Sequence, residues 1–474
     1  MLLVMQGSWA LLLGMLFLQL GNGLQGTLLS VRGELENFST FEMSVVMSAY
    51  FLGFLGASRL VPELIRRVGH VRVFAALASF ISAVLILYPL LVNPWVWTGG
   101  RVIIGFCFCG VYITAESWLN NSATNENRGQ LLSSYMVVQM AGIVAAQLLL
   151  LVGDPGGFEL FVLISVLVSI SFAPILLSIT PTPAFETTKP MSIKKLFSTS
   201  PLGCVGMFFL GGVFSAQFGM APVFGTNAGL SLSEISIFVA AFYIGAMVFQ
   251  FPIGWLSDRI DRRILIVATS AIGFIAAVSA IMVDDFFLIF VGSAFFIGGM
   301  SNPLYSLLIA YTNDFLELDD MASASAGLLF LNGLGAISGP LLTGYLMTKM
   351  GPQAFFIILV LAAALMHAFW NLILKKAQDK AVAVMSIFFS SLPLALVGLW
   401  IGGLPKVTAL PVILLSAILQ TGYTISLFKA YDRGQLSSVY PVARGSAPVF
   451  IFILSYVFFD PEIPLKTLVG ILFI

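Results

Sequence analysis

The sequence predicts an all-α integral membrane protein with two parallel six-helix repeats and about four further spans. Of its 474 residues, 59% are hydrophobic and 9% are charged, and so few charges could not cover a soluble domain of this size. Apolar stretches of about 20 residues recur along the chain, each long enough to cross a hydrocarbon core about 30 Å thick. A residue pattern in the first part also returns about 192 residues later. The spans should be helices, because an open strand in lipid would leave its backbone groups without hydrogen bonds.

One linker divides the apolar stretches into two sets. It covers about 181–201 and carries four prolines and three lysines between two apolar blocks. We therefore predict a first half at 1–180, the linker at 181–201, a second half at 202–355 and a further segment at 356–474. The first span is too long for a signal-peptide core and lacks a preceding basic segment, so we expect it to remain uncleaved. The predicted spans lie near 8–30, 43–61, 71–92, 95–118, 130–152, 158–179, 202–224, 234–256, 263–283, 286–312, 321–348, 354–374, 382–402, 409–428, 437–458 and from 464 onward.

The internal repeat is visible by eye. Gly14-Met15-x-Phe17-Leu18 matches Gly206-Met207-x-Phe209-Leu210, and the same register places Ala49–Gly53 on Ala241–Gly245. Because six spans separate the copies, both halves have the same orientation in the membrane.

Basic residues favour one orientation of the bundle. With the N-terminus inside, about sixteen Lys and Arg fall on cytoplasmic loops and about five on outer loops. We therefore expect a multi-pass protein of a bacterial inner membrane, with a cytoplasmic N-terminus.

Several function classes have little support in the sequence. The 22 basic and 22 acidic residues cancel, which leaves no electrostatic footprint for nucleic acid. The three cysteines and two histidines have no zinc spacing, and neither a nucleophile–base set nor a phosphate-binding loop is present. We expect no enzyme activity, no metal, no cofactor and no direct use of ATP.

Three motifs carry a family resemblance over residues 1 to about 355. The segment from Gly254 to Arg263 follows the eighth span, Arg101 and Gly105 lie four residues apart on the fourth, and Arg128-Gly129 opens the fifth. Gly335, Gly339-Pro340 and Gly344 add a small-residue face on the eleventh span, suited to close helix packing. With these motifs the chain resembles the major facilitator superfamily, most closely its YcaD-like branch. The resemblance implies a twelve-helix bundle and transport by alternating access.

A cytoplasmic gate is implied by the loop that follows the eighth span. Gly254 is expected to permit a close helix contact, and Asp258 to accept backbone N–H bonds at the start of the fifth span near Arg128. Arg259 and Arg262 belong to the same loop. The alternative is that these charges only follow the positive-inside rule.

The first-half copy of this loop departs from the family pattern. Pro62 stands in place of the glycine and Arg66 in place of the aspartate, with Arg67 next to it. The loop before the eleventh span is acidic, so a charge swap between the two loops is one hypothesis. The alternative is that such exposed pairs contribute less than about 1 kcal/mol. The acidic residues are Asp314, Glu317, Asp319 and Asp320.

Polar side chains at membrane depth are costly, and they indicate a substrate pathway. Gln19, Asn22 and Gln25 share one helical face of the first span, since they recur every three residues. Gln217 is the repeat-related counterpart of Gln25, and the resemblance gives these two the greatest weight because it implies a cavity lined by the first and seventh helices. Hydrogen bonding between helices is the alternative role for each. Further candidates are Asn302, Tyr305 and Asn332.

Glu116 and Arg101 are the candidates for ion coupling on the fourth span. Their spacing along a helix predicts a separation of about 22 Å, too far for an ion pair. Glu116 is the better candidate for a proton-titrating carboxyl, and a structural salt bridge or a solvated helix end is the alternative.

The segment from about 356 resembles a partial EamA-type drug/metabolite transporter repeat, whose first span doubles as the twelfth helix of the bundle. The residues that carry this resemblance include His367, Trp370, Tyr440, Pro441 and Arg444. The chain ends within a presumptive fifth helix of that repeat, which suggests a fusion or a truncated reading frame.

Together these features predict a monomeric secondary transporter that moves a small solute, with protons as the coupling ion. A sensor or scaffold derived from a transporter, without flux, is the alternative, and the segment from 356 could be a non-functional fusion fragment.

Overall fold

The computed structural model describes residues 2–122, 128–177, 191–282 and 286–363. The chain divides into two compact units, Met1–Ile373 and Leu374–Ile474, and all described residues belong to the first. The predicted EamA-like residues His367, Trp370, Tyr440, Pro441 and Arg444 lie outside the described residues.

The described chain is helical throughout its regular elements, as the sequence predicts. Ten of its helices are long and apolar enough to cross a membrane. The helices are α1 (Leu2–Leu35), α2 (Thr40–Val68), α3 (His70–Leu90), α4 (Pro94–Ser122), α5 (Arg128–Leu149), α6 (Glu159–Ser171, continued by Ala173–Leu177), a short linker helix (Ile193–Thr199), α7 (Pro201–Asn227), α8 (Leu232–Ser257), α9 (Arg262–Met282), α10 (Phe287–Asn313), α11 (Leu318–Met350) and α12 (Ala354–Ala363).

The internal repeat extends to individual hydrogen bonds at helix starts. Ser39 caps α2: its Oγ accepts from the Glu42 N–H at 3.2 Å, and its own N–H donates to the Glu42 carboxylate at 2.8 Å. Ser231 and Glu234 make the same capping box at the start of α8, at 3.3 and 2.8 Å. Each box satisfies two backbone donors that a helix start otherwise leaves without partners.

Glycines let paired helices approach to backbone contact in both halves. On α2, a Cβ at Gly53 would collide with the carbonyl oxygen of Val102 on α4, and in the second half Gly245 on α8 faces Phe295 on α10 in the same way. Gly105 on α4 packs against Tyr50 of α2 by the reciprocal contact. Close α2–α4 and α8–α10 pairs therefore form the core of each half.

The predicted small-residue face of α11 is present and has two partners. Gly335 and Gly339 pack against the backbone of α7, while Gly344 packs against Ser44 of α2. The α11 helix thus contacts its own half and the other half.

The bundle has two ends, which we call the basic end and the opposite end. The basic end carries the connections α2–α3, α4–α5, α6–α7, α8–α9 and α10–α11. At the opposite end, Asn227 of α7 donates to Thr40 Oγ1 of α2 at 2.8 Å. Nearer the middle, Ser48 Oγ donates to the carbonyl oxygen of Ile337 at 2.6 Å. Nearer the basic end, the Arg59 guanidinium lies 5.0 Å from the Phe330 ring centroid. Contacts between α2 and α11 therefore join the two halves along much of their length.

Candidate substrate cavity

A cavity of about 380 Å³ lies between the halves and is lined by both. Helices α1, α2, α4 and α5 contribute from the first half, and α7, α8, α10 and α11 from the second. Ligand sites in proteins begin near this size, with mostly apolar walls and a few polar groups.

The first-half wall carries a connected network of amides and a phenol. Gln19 Nε2 donates to Gln139 Oε1 at 2.8 Å, and the Tyr112 hydroxyl donates to Gln19 Oε1 at 3.0 Å. Asn22 Nδ2 donates to the Tyr112 oxygen at 2.9 Å and Gln25 Nε2 donates to Asn22 Oδ1 at 3.1 Å. The predicted shared face of Gln19, Asn22 and Gln25 is therefore a hydrogen-bonded row. Such a network fixes where each amide presents a donor or an acceptor.

Gln25 and Gln217 occupy different places from those predicted. Both are 1% exposed, and neither is among the described residues that line the cavity. Gln217 lies in a π-helical turn of α7, Ala216–Met220, where its Oε1 accepts from Ser301 Oγ at 3.1 Å. The matching segment of α1 is regular α-helix, so the repeat pattern gave no sign of this turn. In this conformation neighbours of the two glutamines line the cavity, and a role of Gln25 and Gln217 in the substrate pathway stays a prediction.

The second-half wall is built from aromatic rings. Phe218 and Tyr243 stack with centroids 4.9 Å apart and planes 16° apart, and Phe214 stacks on Phe218 at 5.6 Å and 21°. Tyr305 lies 6.3 Å from Phe214 and extends the row. This wall offers ring faces to a solute.

Two predicted second-half residues line the cavity but use their amide N–H groups elsewhere. Asn302 Nδ2 donates to the carbonyl oxygen of Gly298 at 3.2 Å, and Asn332 Nδ2 donates to that of Met207 at 3.0 Å. Both amides therefore bind backbone carbonyl groups. The Asn332 bond joins α11 to α7, which is the interhelical role that the sequence gave as its alternative.

Arg101 is the one charged side chain among the described residues that line the cavity. It is 5% exposed, and its guanidinium carbon lies 4.7 Å from the Tyr50 ring centroid. Its Nη2 contacts Met47 Sδ at 3.6 Å, and its Nε has no hydrogen-bond partner among the described residues. The sequence indicated the residue but not these surroundings.

Glu116 lies on the same unbroken α4 helix, about 22 Å nearer the basic end. Its side chain is not covered by neighbouring residues and lies beside the phenol of Tyr135 on α5. Tyr305 of α10 lies within electrostatic range. Arg101 and Glu116 therefore occupy separate environments, as their spacing predicts.

Three predicted gate residues of the α8–α9 loop, Gly254, Asp258 and Arg259, are exposed at the basic end, and Arg262 is half-buried. Asp258 ends α8, and among the described residues it has no ion pair. Arg259 folds back on its own helix, with its guanidinium carbon 3.9 Å from the Trp255 ring centroid. A Cβ at Gly254 would meet open space, so none of the described residues makes the predicted close helix contact there in this conformation. Arg128 begins α5 as predicted, but its side chain lies outside the described ones.

The α8–α9 loop binds the end of α10. Arg262 pairs with Asp314, and Arg263 pairs with Asp261 at 2.7 Å. The hydrogen bond from Arg263 holds the pKa of the Asp261 carboxyl below its ordinary value. The charge-swap hypothesis had placed the acidic loop that contains Asp314 opposite the basic α2–α3 loop, because charge counting does not show which helix ends are adjacent.

The predicted charge swap is not formed among the described side chains. Arg66 and Arg67 both bind Glu63 on their own helix, each at 2.7 Å. Asp320 binds Lys195 of the linker helix at 2.8 Å. The side chain of Asp319 lies outside the described ones. In this conformation the described charges that form ion pairs in the two loops do so with local partners and not with each other.

Comparisons with known proteins agree with this architecture. A family model described as Major Facilitator Superfamily matches residues 11–231 and 202–474. The second match includes the segment from 356 in which the sequence predicts an EamA-like repeat. An uncharacterized MFS-type transporter YcaD from Escherichia fergusonii is 25% identical over 354 residues, which cover 74% of this chain and 91% of that relative. An uncharacterized MFS-type transporter from Enterobacter sp. (strain 638) is 26% identical over 380 residues, covering 79% and 97%.

Solved structures share the fold at low identity. A mutant of the nucleoside transporter NupG matches with a TM-score of 0.66 and 14% identity, over 77% of this chain and 98% of that one. A bacterial homologue of the human lysosomal transporter Spinster, inward-facing and unoccupied, matches with a TM-score of 0.61 and 15% identity, over 82% and 97%.

Proposed function

The chain belongs to the Major Facilitator Superfamily of membrane transporters, and we propose that it is a secondary transporter which moves a small solute by alternating access. The observation that carries this proposal is the cavity between the halves, lined by side chains from eight helices of both repeats. A solute bound there contacts both halves at once, so a change in their relative tilt changes its exposure.

The contacts between the halves indicate which barrier this conformation contains. The Asn227–Thr40 bond and the packing of Gly344 on Ser44 close the opposite end. At the basic end, Asp258 is exposed and the α2–α3 arginines bind within their own helix. This arrangement supports a state open toward the basic end, which the distribution of basic residues makes the cytoplasmic side.

The gate would form in the alternate state. Asp258 would then reach the start of α5 near Arg128, and Arg66 and Arg67 would exchange Glu63 for Asp319 and Asp320. Asp258, Arg66 and Arg67 are exposed in the present structure, so none of these three has to leave a buried partner.

Glu116 is our candidate for proton coupling. A carboxyl at membrane depth is costly and is a frequent part of proton relays. The titratable groups around it are the phenols of Tyr135 and Tyr305 and the thiol of Cys109. Arg101 is a weaker coupling candidate than the sequence suggested, because it lies in the cavity wall with no acid beside it among the described residues.

Transport in proteoliposomes tests the proposal. The purified full chain is reconstituted, and uptake of a solute panel is measured with and without an imposed proton gradient. We expect gradient-dependent flux of at least one solute in the wild type, and loss of that dependence in Glu116→Gln. Glu159→Gln, an acidic change in the first turn of α6 at the opposite end, is the matched control. Binding without flux of any solute would favour the sensor or scaffold instead.

Distances between spin labels test the gate directly. Labels at the basic ends of α5 and α8 should approach, and labels at the opposite ends of α1 and α7 should separate, when solute binds. A single unchanging distance at both ends would contradict alternating access.

The remaining expectations complete the proposal. We place the protein in a bacterial inner membrane as a monomer with a cytoplasmic N-terminus, and we assign the segment from 356 to an EamA-like repeat whose first span also completes the bundle. Cysteine labelling from either side of the membrane at two exposed positions, Arg72 at the basic end and Glu34 at the opposite end, tests the orientation.

A further inference from the structure

Arg101 carries a positive charge for which the described part of the cavity offers no counter-ion. A guanidinium stays charged at any physiological pH, and burying a charge costs free energy unless it is paired and hydrogen-bonded. Among the described residues, its guanidinium lies over the face of Tyr50, contacts the thioether of Met47 and has the phenol of Tyr88 within electrostatic range. A ring face and a thioether sulfur are weak partners compared with an anion. Its Nε is buried and has no partner among the described residues, so an acceptor on a bound ligand would satisfy a donor that this conformation leaves unpaired.

The aromatic wall is close to this charge. Tyr243, at one end of the stack with Phe218, lies within electrostatic range of Tyr50, over which the guanidinium sits. Gly219, next to Phe218, packs on Met47, the other contact of Arg101. One cavity thus combines a buried cation, a stack of flat rings and a row of amides on the facing wall.

We propose that this cavity binds a small organic anion that contains a planar ring. Its carboxylate pairs with Arg101, its ring packs against Phe218 and Tyr243, and its polar substituents bind the Gln19–Asn22 row. A carboxylate matches the guanidinium fork with two parallel hydrogen bonds, and flat rings pack well on aromatic faces. This inference names the substrate class of the proposed transporter and so rests on that function.

Binding to the purified full chain tests the inference, with four probes measured by calorimetry. Benzoate carries both features, benzyl alcohol lacks the charge, benzylamine reverses it, and cyclohexanecarboxylate keeps the charge without a flat ring. We expect benzoate to bind most tightly, benzyl alcohol to bind about 30-fold more weakly or worse, benzylamine not to bind, and cyclohexanecarboxylate to bind several-fold more weakly.

Variants assign each preference to its residue. Arg101→Gln should remove the preference for benzoate over benzyl alcohol, and Arg101→Lys should keep part of it. Phe218→Leu should remove the preference for benzoate over cyclohexanecarboxylate. Arg72→Gln, which removes an exposed arginine on α3, is the matched control and should change neither ratio.

Three results would overturn the inference: no benzoate binding at millimolar concentration, binding of benzylamine or benzyl alcohol as tight as that of benzoate, or an unchanged ratio in Arg101→Gln. If that variant does not fold, the wild-type probe series and Phe218→Leu still decide. Flux of benzylamine without benzoate binding would leave a transporter but remove the anion site, whereas selective benzoate binding without flux would keep the site and contradict transport.

Discussion

In the first half Ser39 and Glu42 cap α2, and in the second half Ser231 and Glu234 cap α8 with the same hydrogen bonds. The loops before these caps also match, since Asn37 and Gly229 both have left-handed backbone, with φ of 59° and 74°. The cavity walls differ: the first half presents hydrogen-bonded amides and a buried arginine, and the second half presents stacked rings.

This difference shows which positions the fold constrains. Caps, left-handed turns and glycine contacts are needed by the backbone of either half, so the duplication retains them. Side chains facing the cavity support no backbone contact that both halves share, and they are therefore able to differ. Variants at matched positions in the two halves test whether backbone-supporting positions respond equally and cavity-facing positions respond unequally.

The largest effect should come from the glycine contacts, and it should be equal in the two halves. Gly53→Ala and Gly245→Ala each place a methyl group against a backbone carbonyl oxygen of the partner helix. We expect each to lower the free energy of unfolding by about 1–3 kcal/mol or more. Thermal unfolding in detergent measures it, with Gly56→Ala, where a Cβ meets open space, as the control. A tolerated change in one half alone would show that the two scaffolds are not equivalent.

The cavity walls should respond unequally. Gln139→Leu leaves Gln19 Nε2 without its 2.8 Å partner, at a cost of about 1–3 kcal/mol. Asn332→Leu removes a donor from the carbonyl oxygen of Met207, which lies within a helix, and should cost less. Chemical unfolding of both variants and of the Gln19→Leu/Gln139→Leu double variant gives the comparison. Equal costs would mean that the amide row has no special role in the first wall.

Loss of a capping box should again destabilise the two halves equally. Ser39→Ala and Ser231→Ala each remove one side-chain acceptor at a helix start, for about 1 kcal/mol. Hydrogen exchange of the first turns of α2 and α8 reports the loss locally. If only one of the two helices lost protection from exchange, the two capping boxes would be alike in sequence but not in their contribution to stability.

The smallest effects should come from charges at the basic end. Glu63→Gln frees Arg66 and Arg67 and should cost less than about 1 kcal/mol, because all three side chains are exposed. Asp314→Asn separates the α8–α9 loop from α10 and should increase hydrogen exchange in that loop. If Glu63→Gln leaves the distance between α2 and the acidic loop unchanged with or without solute, the proposed charge swap is wrong.

The sequence predicted the scaffold better than the site. The register that matches Ala49–Gly53 with Ala241–Gly245 holds in the structure, where Gly53 and Gly245 lie at equivalent close helix contacts. The spacing of Gln19 and Asn22 predicted one shared face, and the two side chains are hydrogen-bonded neighbours. The partners of Arg66 and Asp314 were not predictable, because many helix ends carry charges and only the packing decides which ones meet. Gln25 and Gln217 share a position in the repeat, yet only Gln217 lies in a π-helical turn. The repeat pattern therefore could not predict that their backbones differ.

The Asn227–Thr40 bond at the opposite end has a further consequence. In the repeat, Leu35 corresponds to Asn227 and Leu232 to Thr40, so the symmetry-related contact cannot contain this hydrogen bond. The interface between the halves is therefore heterologous at this point, with each half supplying a distinct surface. Two copies of the first half, assembled about a twofold axis, would lack this bond at both equivalent places. Although the halves descend from one pattern, neither could substitute for the other in closing this end.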